Sequence, residues 1–411
     1  MSSRVTYREV LGMREFRAIL LSQGLSTLGD QVTRVAVALL VFQRSGSAFA
    51  ASATYACSYL TWLVGGTPLS AFADRYPRRT VMVVSDVARA GLVVLLAMPG
   101  LPLVVVFALL VLTGFLAPPF DSARSALLPD LLPGDRYVVG NALMNGAFQG
   151  GQVAGFLVGG ALVAAVSYRG ALLVDAATFV VSAAVLLLMV PAGARTERDG
   201  RTSLLRETVE GVRAVAGNPR LRWLLAYALL STAVAIPAEG LAVAVASSLG
   251  RGSVAVGALT ATIPAGFLLG SVVVLRVEPS RRLRLLPLLA LLGSAPLLLT
   301  VVLRNPFLIG AVWVLAGAGN ALQLVASAEY VSSTPPELRG RAYGVAGTCL
   351  MAVQGIVLLV VGAAADELDP RTVITLTGVV GLLVLPLVML LSPERKDPAQ
   401  ERANAGRESQ G

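Results

Sequence analysis

Asp30 and Arg34 stand four residues apart in "GDQVTRV", inside an otherwise apolar run. At i and i+4 two side chains share a helix face, so a carboxylate and a guanidinium placed this way can pair. The same groups can also separate to hold a substrate or a proton, and spacing does not choose between these uses. Glu239, in "AIPAEGLAVAV", lies in a second apolar run with no arginine within a helical turn. Pro237 beside it loosens the local helix. An acid so placed is the first candidate for a proton carrier. Asp86, Arg89, Asp121, Arg124 and Glu329 lie nearer the ends of their runs and are expected to be structural partners of loop charges. Asn145, Gln149 and Gln152 recur at helical spacing, and Gln354 sits in a later run. These amides can line a cavity or hold helices together.

Other chemistry is excluded by what is missing. The 411 residues include no histidine and only two cysteines, Cys57 and Cys349, both in apolar surroundings. A Ser-His-Asp or Cys-His site cannot be assembled, nor a cysteine-rich metal site. Lys396, near the C-terminal end, has no glycine-rich loop before it, so the phosphate-binding loop of nucleotide hydrolases is absent. No cofactor, metal or enzymatic activity is expected.

The elements that must position the buried charges are membrane helices. The chain is 55% hydrophobic and 14% charged, with mean hydropathy +0.75. About 25% charged residues is usual for a soluble domain, and about 20 apolar residues span a bilayer. Twelve such segments can be counted, near 16–43, 47–73, 79–98, 103–129, 139–165, 168–190, 220–249, 253–277, 281–303, 306–333, 340–365 and 369–391. Pro118 and Pro119 are expected to kink the fourth. The fold class is therefore all-α integral membrane, with twelve transmembrane helices in two halves. Residues 1–190 form the first half and 220–391 the second. A charged linker, 191–219, divides them, and 392–411 form a polar, disordered tail. "LLRETVEGVRAV" in the linker has helical spacing and is expected on the membrane surface.

Arginine placement orients the chain. Arg4, Arg8, Arg14, Arg17, Arg75, Arg78, Arg79, Arg136, the linker arginines, Arg276, Arg281, Arg282, Arg284, Arg339 and Arg341 fall on one side. The opposite loops hold only Arg44, Arg169, Arg251, Arg304 and Arg371. By the positive-inside rule the first side is cytoplasmic and holds both termini. The formal charge of +9 is thus a topology signal, and no nucleic-acid partner is expected.

The halves echo each other. "PDLLPGDRYVVGNAL" (129–143) has a counterpart in "SSTPPELRGRAYGVA" (332–346), and "DRYPRR" (74–79) a degenerate one in "RVEPSRR" (276–282). Repeated halves are how many secondary transporters are built. Between segments two and three, "SAFADRYPRRT" resembles the signature of the major facilitator superfamily, commonly written G-x-L-A-D-R-x-x-R-R. Asp74, Arg75, Arg78 and Arg79 fall on its charged positions, and Ser70 replaces the leading glycine. Within that superfamily, 25–48, 127–143, 174–186 and 210–225 are similar to the enterobactin-exporter and macrolide-efflux branch. The resemblance implies that the 70–79 cluster is a cytoplasmic gate, holding the halves together near Arg341–Gly344. Asp74 is also placed to pair with Arg78 and to sit near a helix N-terminus.

"GQVAGFLVGG" (151–160) is similar to the antiporter motif G-x-x-x-G-P-x-x-G-G. Gly151, Gly155, Gly159 and Gly160 match it, but Phe156 stands at the proline position, and close helix packing also accounts for the glycines. The motif therefore does not fix the direction of transport. The resemblance implies a monomeric multi-pass protein of the cell membrane that exports a bulky small molecule by alternating access, in exchange for protons. An uptake symporter is the alternative within this class. A non-transporting receptor or scaffold would need a larger extramembrane surface than the linker supplies.

Overall fold

The computed structural model describes residues 6–73, 76–191 and 204–393, and among these all regular structure is helical. The expected tail from 394 onward and the linker from 192 to 203 lie outside the described residues. In chain order the helices are α1 (Tyr7–Gly12), α2 (Arg14–Ser45), α3 (Ala48–Ala73), α4 (Arg78–Leu96), α5 (Leu103–Phe115), α6 (Ala117–Leu131) and α7 (Asp135–Met189). After the linker follow α8 (Leu204–Gly217), α9 (Pro219–Gly240), α10 (Ala242–Ser248), α11 (Ser253–Arg276), α12 (Pro279–Arg282), α13 (Leu286–Ser294), α14 (Pro306–Gly319), α15 (Leu322–Ser332), α16 (Arg339–Glu367) and α17 (Pro370–Leu390).

Local sequence explains where these helices start and stop. Asn218, Asn305 and Asp369 each stand before a proline, and each side chain accepts a hydrogen bond from the backbone of the first turn. This joins a capping oxygen to a proline at the one position where its missing N–H costs nothing. Gly46 ends α2 at φ 67°, the left-handed conformation that glycine adopts without strain. The chain breaks at Leu116, between α5 and α6, just ahead of Pro118 and Pro119, so the expected kink is there. Pro237 precedes a second break at Leu241, where α9 gives way to α10.

Nine helical stretches among the described residues are long and apolar enough to cross a membrane. One of them, α7, has 55 residues. It would extend about 80 Å if straight, but it is interrupted at Ser167, with φ 68° and ψ 171°. The strain of that conformation in a non-glycine residue marks a real reversal between two rods. Further rods, α3 and α4, stand where the sequence places segments two and three. Phe307 and Leu188 are 85% and 77% exposed, as side chains facing lipid would be.

The apolar packing divides the molecule along its length. At the end that holds Ser47, Gly252 and Asp366, one buried cluster joins both halves. Val35, Ala38, Tyr55 and Phe156 meet Leu241–Ala246, Val256, Leu259, Leu358 and Val361 there. At the opposite end each half keeps its own core. Phe16, Met82, Phe120 and Leu132 pack in the first half, and Leu221, Tyr227, Leu286 and Tyr330 in the second. The linker helix α8 docks on the second half, where Glu210 pairs with Arg341 and Gly211 lies against the Arg341 backbone.

Candidate functional site

Below the shared core lies a cavity of about 420 Å³ between the halves. Helix α2 supplies much of its wall through Gln23, Ser26, Thr27, Asp30, Gln31, Thr33, Arg34 and Val37. Thr54, Ser58, Tyr59 and Trp62 come from α3, Phe120 and Asp121 from α6, and Phe148, Gln149 and Gln152 from α7. The second half contributes Met351 and Gln354 of α16. Aromatic faces, amides and ionic groups therefore share one space.

The charges do not pair as spacing along α2 suggests. Asp30 accepts from Arg89 of α4, not from Arg34. Arg89 is 4% exposed and also donates to Ser26 Oγ at 3.2 Å, with its guanidinium 4.3 Å from the Phe179 ring. Arg34 instead reaches across the molecule. Its Nη1 lies 3.9 Å from Oε1 of Glu239, in α9 of the second half. The Tyr59 hydroxyl donates to the same oxygen at 3.4 Å, and the Arg34 guanidinium lies 5.3 Å from the Tyr59 ring. Glu239 is 7% exposed and sits behind Arg34 rather than on the cavity wall. An i,i+4 relation makes a pair possible, but a buried charge takes whichever partner the surrounding helices bring to it.

Asp86 and Arg89 are likewise not partners of loop charges. Asp86 is fully buried and accepts from Ser182 at 2.5 Å, and Ser182 is itself bonded to Ser22 at 2.6 Å. Asp121 pairs with Arg124 one turn along α6 at 3.0 Å and faces the cavity. Glu329 does meet a charge from the linker end, Arg220, at 3.1 Å.

Asp175 has no charged neighbour in sequence to mark it. It is 1% exposed, accepts from Thr33 and Thr178, and lies against Gly29, where a Cβ would collide with its carboxylate. A signal was present in α2. Ser22, Ser26, Gly29 and Thr33 recur every three or four residues, a small and polar stripe that must face something polar.

Of the candidate amides, Gln149, Gln152 and Gln354 line the cavity and Asn145 does not. The glycines of 151–160 are packing positions. A Cβ on Gly155 would lie 2.7 Å from the Leu28 carbonyl oxygen, and one on Gly159 3.0 Å from Val32 Cα. Gly151 backs onto Thr27. Gly160 crosses between halves, and its Cβ would lie 2.9 Å from Gly257 Cα in α11.

In the charged loop, Asp74 and Arg75 lie outside the described residues, as does the side chain of Ser70. Arg78 donates to the Ala126 carbonyl at 2.6 Å and pairs with Asp130, and Arg79 donates to the Val190 carbonyl at 3.0 Å. These bonds brace α4 against α6 and the end of α7, all in the first half.

The sequence model described as Major Facilitator Superfamily matches residues 19–358. The multidrug efflux pump Tap of Mycolicibacterium fortuitum is 27% identical over 351 residues, covering 82% of this chain and 86% of that protein. Tap of Mycobacterium bovis (strain BCG / Pasteur 1173P2) is 26% identical over 368 residues, covering 85% and 86%. Among solved structures, the nucleoside transporter NupG superposes with a TM-score of 0.74 at 12% identity, over 93% of this chain and all of that one. A bacterial homologue of the human lysosomal transporter Spinster, inward-facing and occupied, gives 0.75 at 14% identity, over 95% and 97%. At such identities the structures speak for the fold alone. The family model, matched over most of the chain, fixes the assignment: this chain belongs to the major facilitator superfamily.

Proposed function

We propose that this protein is a proton-coupled exporter of bulky small molecules, working by alternating access. The observation that carries the reading is the ion pair between Arg34 and Glu239, which joins the two halves at the head of an amphipathic cavity. A guanidinium beside a carboxylate stabilises its charge, so a proton placed on Glu239 removes an attraction that holds the halves together here. Proton movement and helix movement are then one event. The efflux pumps named among the relatives support export over uptake. The mixture of Trp62, Phe148 and several amides suits a partly apolar substrate that also makes hydrogen bonds.

In this reading the chain crosses the cell membrane twelve times as a monomer. Residues 1–190 and 220–391 are the moving halves, the linker is cytoplasmic, and both termini are cytoplasmic. The end with the shared core is then extracellular, and the arrangement described is the inward-facing one. Asp30, Arg89 and Asp121 set the cavity's polarity, and the 70–79 cluster gates the cytoplasmic side in the opposite state.

The test uses purified protein in liposomes with imposed pH gradients of either sign and a panel of fluorescent amphiphilic dyes. The parent should drive dye against its gradient, with a direction that follows the proton gradient. Glu239→Gln should keep dye binding and lose that dependence. A mutant that still accumulates dye as the parent does would remove Glu239 from the coupling step.

A further inference from the structure

Asp366 lies at the C-terminal end of α16, in the second half, yet its hydrogen bonds go to the first half. Its Oδ2 accepts from the Ser47 hydroxyl at 2.6 Å. Its Oδ1 accepts from the backbone N–H groups of Ala48 at 2.5 Å and Phe49 at 3.2 Å. Ala48 and Phe49 are the first two residues of α3. A helix leaves its first N–H groups without intrahelical partners, and the residue just before it normally supplies the capping oxygen. Ser47 is a residue type that does this well. Here it accepts from the Ala50 N–H at 3.1 Å while its hydroxyl donates to Asp366, and the first two N–H groups of α3 are capped from the other half of the molecule.

We propose that Asp366 is the outer-gate residue of the transport cycle, a helix cap supplied in trans that holds the Ser47 end shut. Three bonds to one carboxyl group, at the positive end of a 26-residue helix, form one of the polar ties between the halves at this end. The surrounding helix contact is close, although Asp366 itself is exposed. A Cβ on Gly362, one turn before Asp366, would lie 2.9 Å from both Phe49 Cα and Ser52 Cβ, and the Ser52 hydroxyl donates to the Gly240 carbonyl at 3.0 Å. Opening this end must draw α16 from α3, so it must uncap α3. Ser47 keeps its own bond from the Ala50 N–H when Asp366 leaves. The cost of opening is thereby limited to the bonds that Asp366 makes, because the first turn of α3 retains its serine cap. A partial loss of this kind suits a gate that must close firmly and still open in each cycle.

This inference rests on the alternating-access reading, and the experiment separates the two. Spin labels are placed in a background with Cys57→Ala and Cys349→Ala. One pair, at Met98 and Val302, reports the Ser47 end. A second pair, at Tyr137 and Tyr343, reports the opposite end. Distances are measured by pulsed electron resonance in liposomes. Asp366→Ala should shift the population ratio roughly tenfold towards a longer distance at the Ser47 end, on the scale of a lost charged cap. The distance at the opposite end should shorten with it. Asp366→Asn and Ser47→Ala, which each keep part of the contact, should shift the ratio less and in the same direction, and they carry the test if the alanine variant does not fold. Glu367→Ala should match the parent. Lengthening at the Ser47 end alone would mean local fraying and would overturn the gate, as would parent distances in all three variants. If the two distances in the parent itself never change in opposite senses, alternating access fails instead.

Discussion

Removing the carboxylate of Asp30 should strand a guanidinium, and the structure says which one. Arg89 is the deeper partner, with its side chain 5% exposed against 33% for Asp30. Breaking a buried pair from one side costs about 3–5 kcal/mol, most of it the burden of the charge left behind. Arg89 would keep the Phe179 ring at 4.3 Å, Ser26 at 3.2 Å and the attraction of Asp86 and Asp175. A cation over an aromatic face returns about 0.5–2 kcal/mol. The expected loss for Asp30→Asn is therefore near the lower limit, about 3 kcal/mol. At about 2 °C per kcal/mol for a large domain, the melting midpoint should fall by about 6 °C. The assay is size-exclusion survival of detergent-purified protein after heating, for Asp30→Asn, Arg89→Gln and their combination. The combination should recover part of the loss, because it leaves no stranded guanidinium but removes the positive charge that the buried Asp86 and Asp175 also feel. Combining Asp30→Asn with Arg34→Gln should recover nothing, since Arg34 serves Glu239. If Arg34→Gln rescues and Arg89→Gln does not, the pairing described here is wrong.

Gly160→Leu should force α7 from α11 at the shared-core end, because Gly160 meets Gly257 with no room for a side chain. In a cysteine-free background, a cysteine at Thr54 should then react with an impermeant maleimide applied from outside, and an unreactive Thr54 would show that the seal does not depend on this contact. Asp369 caps α17, and Arg371 beside it holds its carboxyl below the usual carboxylate range. A lowered folded value means its stabilisation is complete above about pH 4 and is lost as pH falls through that lower value. Asp369→Ala should cost about 0.5–1 kcal/mol at neutral pH and flatten stability against pH at the acid end, and an unchanged acid limb would count against the cap. Reporter fusions at Gly200 and Gly411 should read cytoplasmic and one at Gly252 external, and an external Gly200 would reverse the orientation.

The helices were legible because lipid imposes a simple rule on sequence. Apolar length, proline and glycine breaks and loop arginines carry it without reference to packing. The pairing of the charges was not legible. Asp30 and Arg34 share a helix face, but their partners, Arg89 and Glu239, come from α4 and α9. Distance along one helix says nothing about which helices become neighbours. Glu239 could be singled out because it lacks a local partner, and that lack is what a partner in the other half requires. Asp175 lay in a run of small and apolar residues, and its significance came from Thr33 and Gly29 on another helix. The trans cap at Asp366 was hidden for the same reason. Serine before a helix reads as the cap itself.

The cavity wall has a consequence for how specificity can change. Among the described residues, all its lining except Met351 and Gln354 comes from the stretch between Gln23 and Gln152. On the function proposed above, recognition is therefore written in one contiguous third of the gene, while the rest supplies leverage. A hybrid that takes this stretch from one relative and the remainder from another would inherit the first parent's chemical taste and the second parent's mechanics. Adaptation to a new toxin can proceed by local substitution there, leaving the machinery of motion untouched.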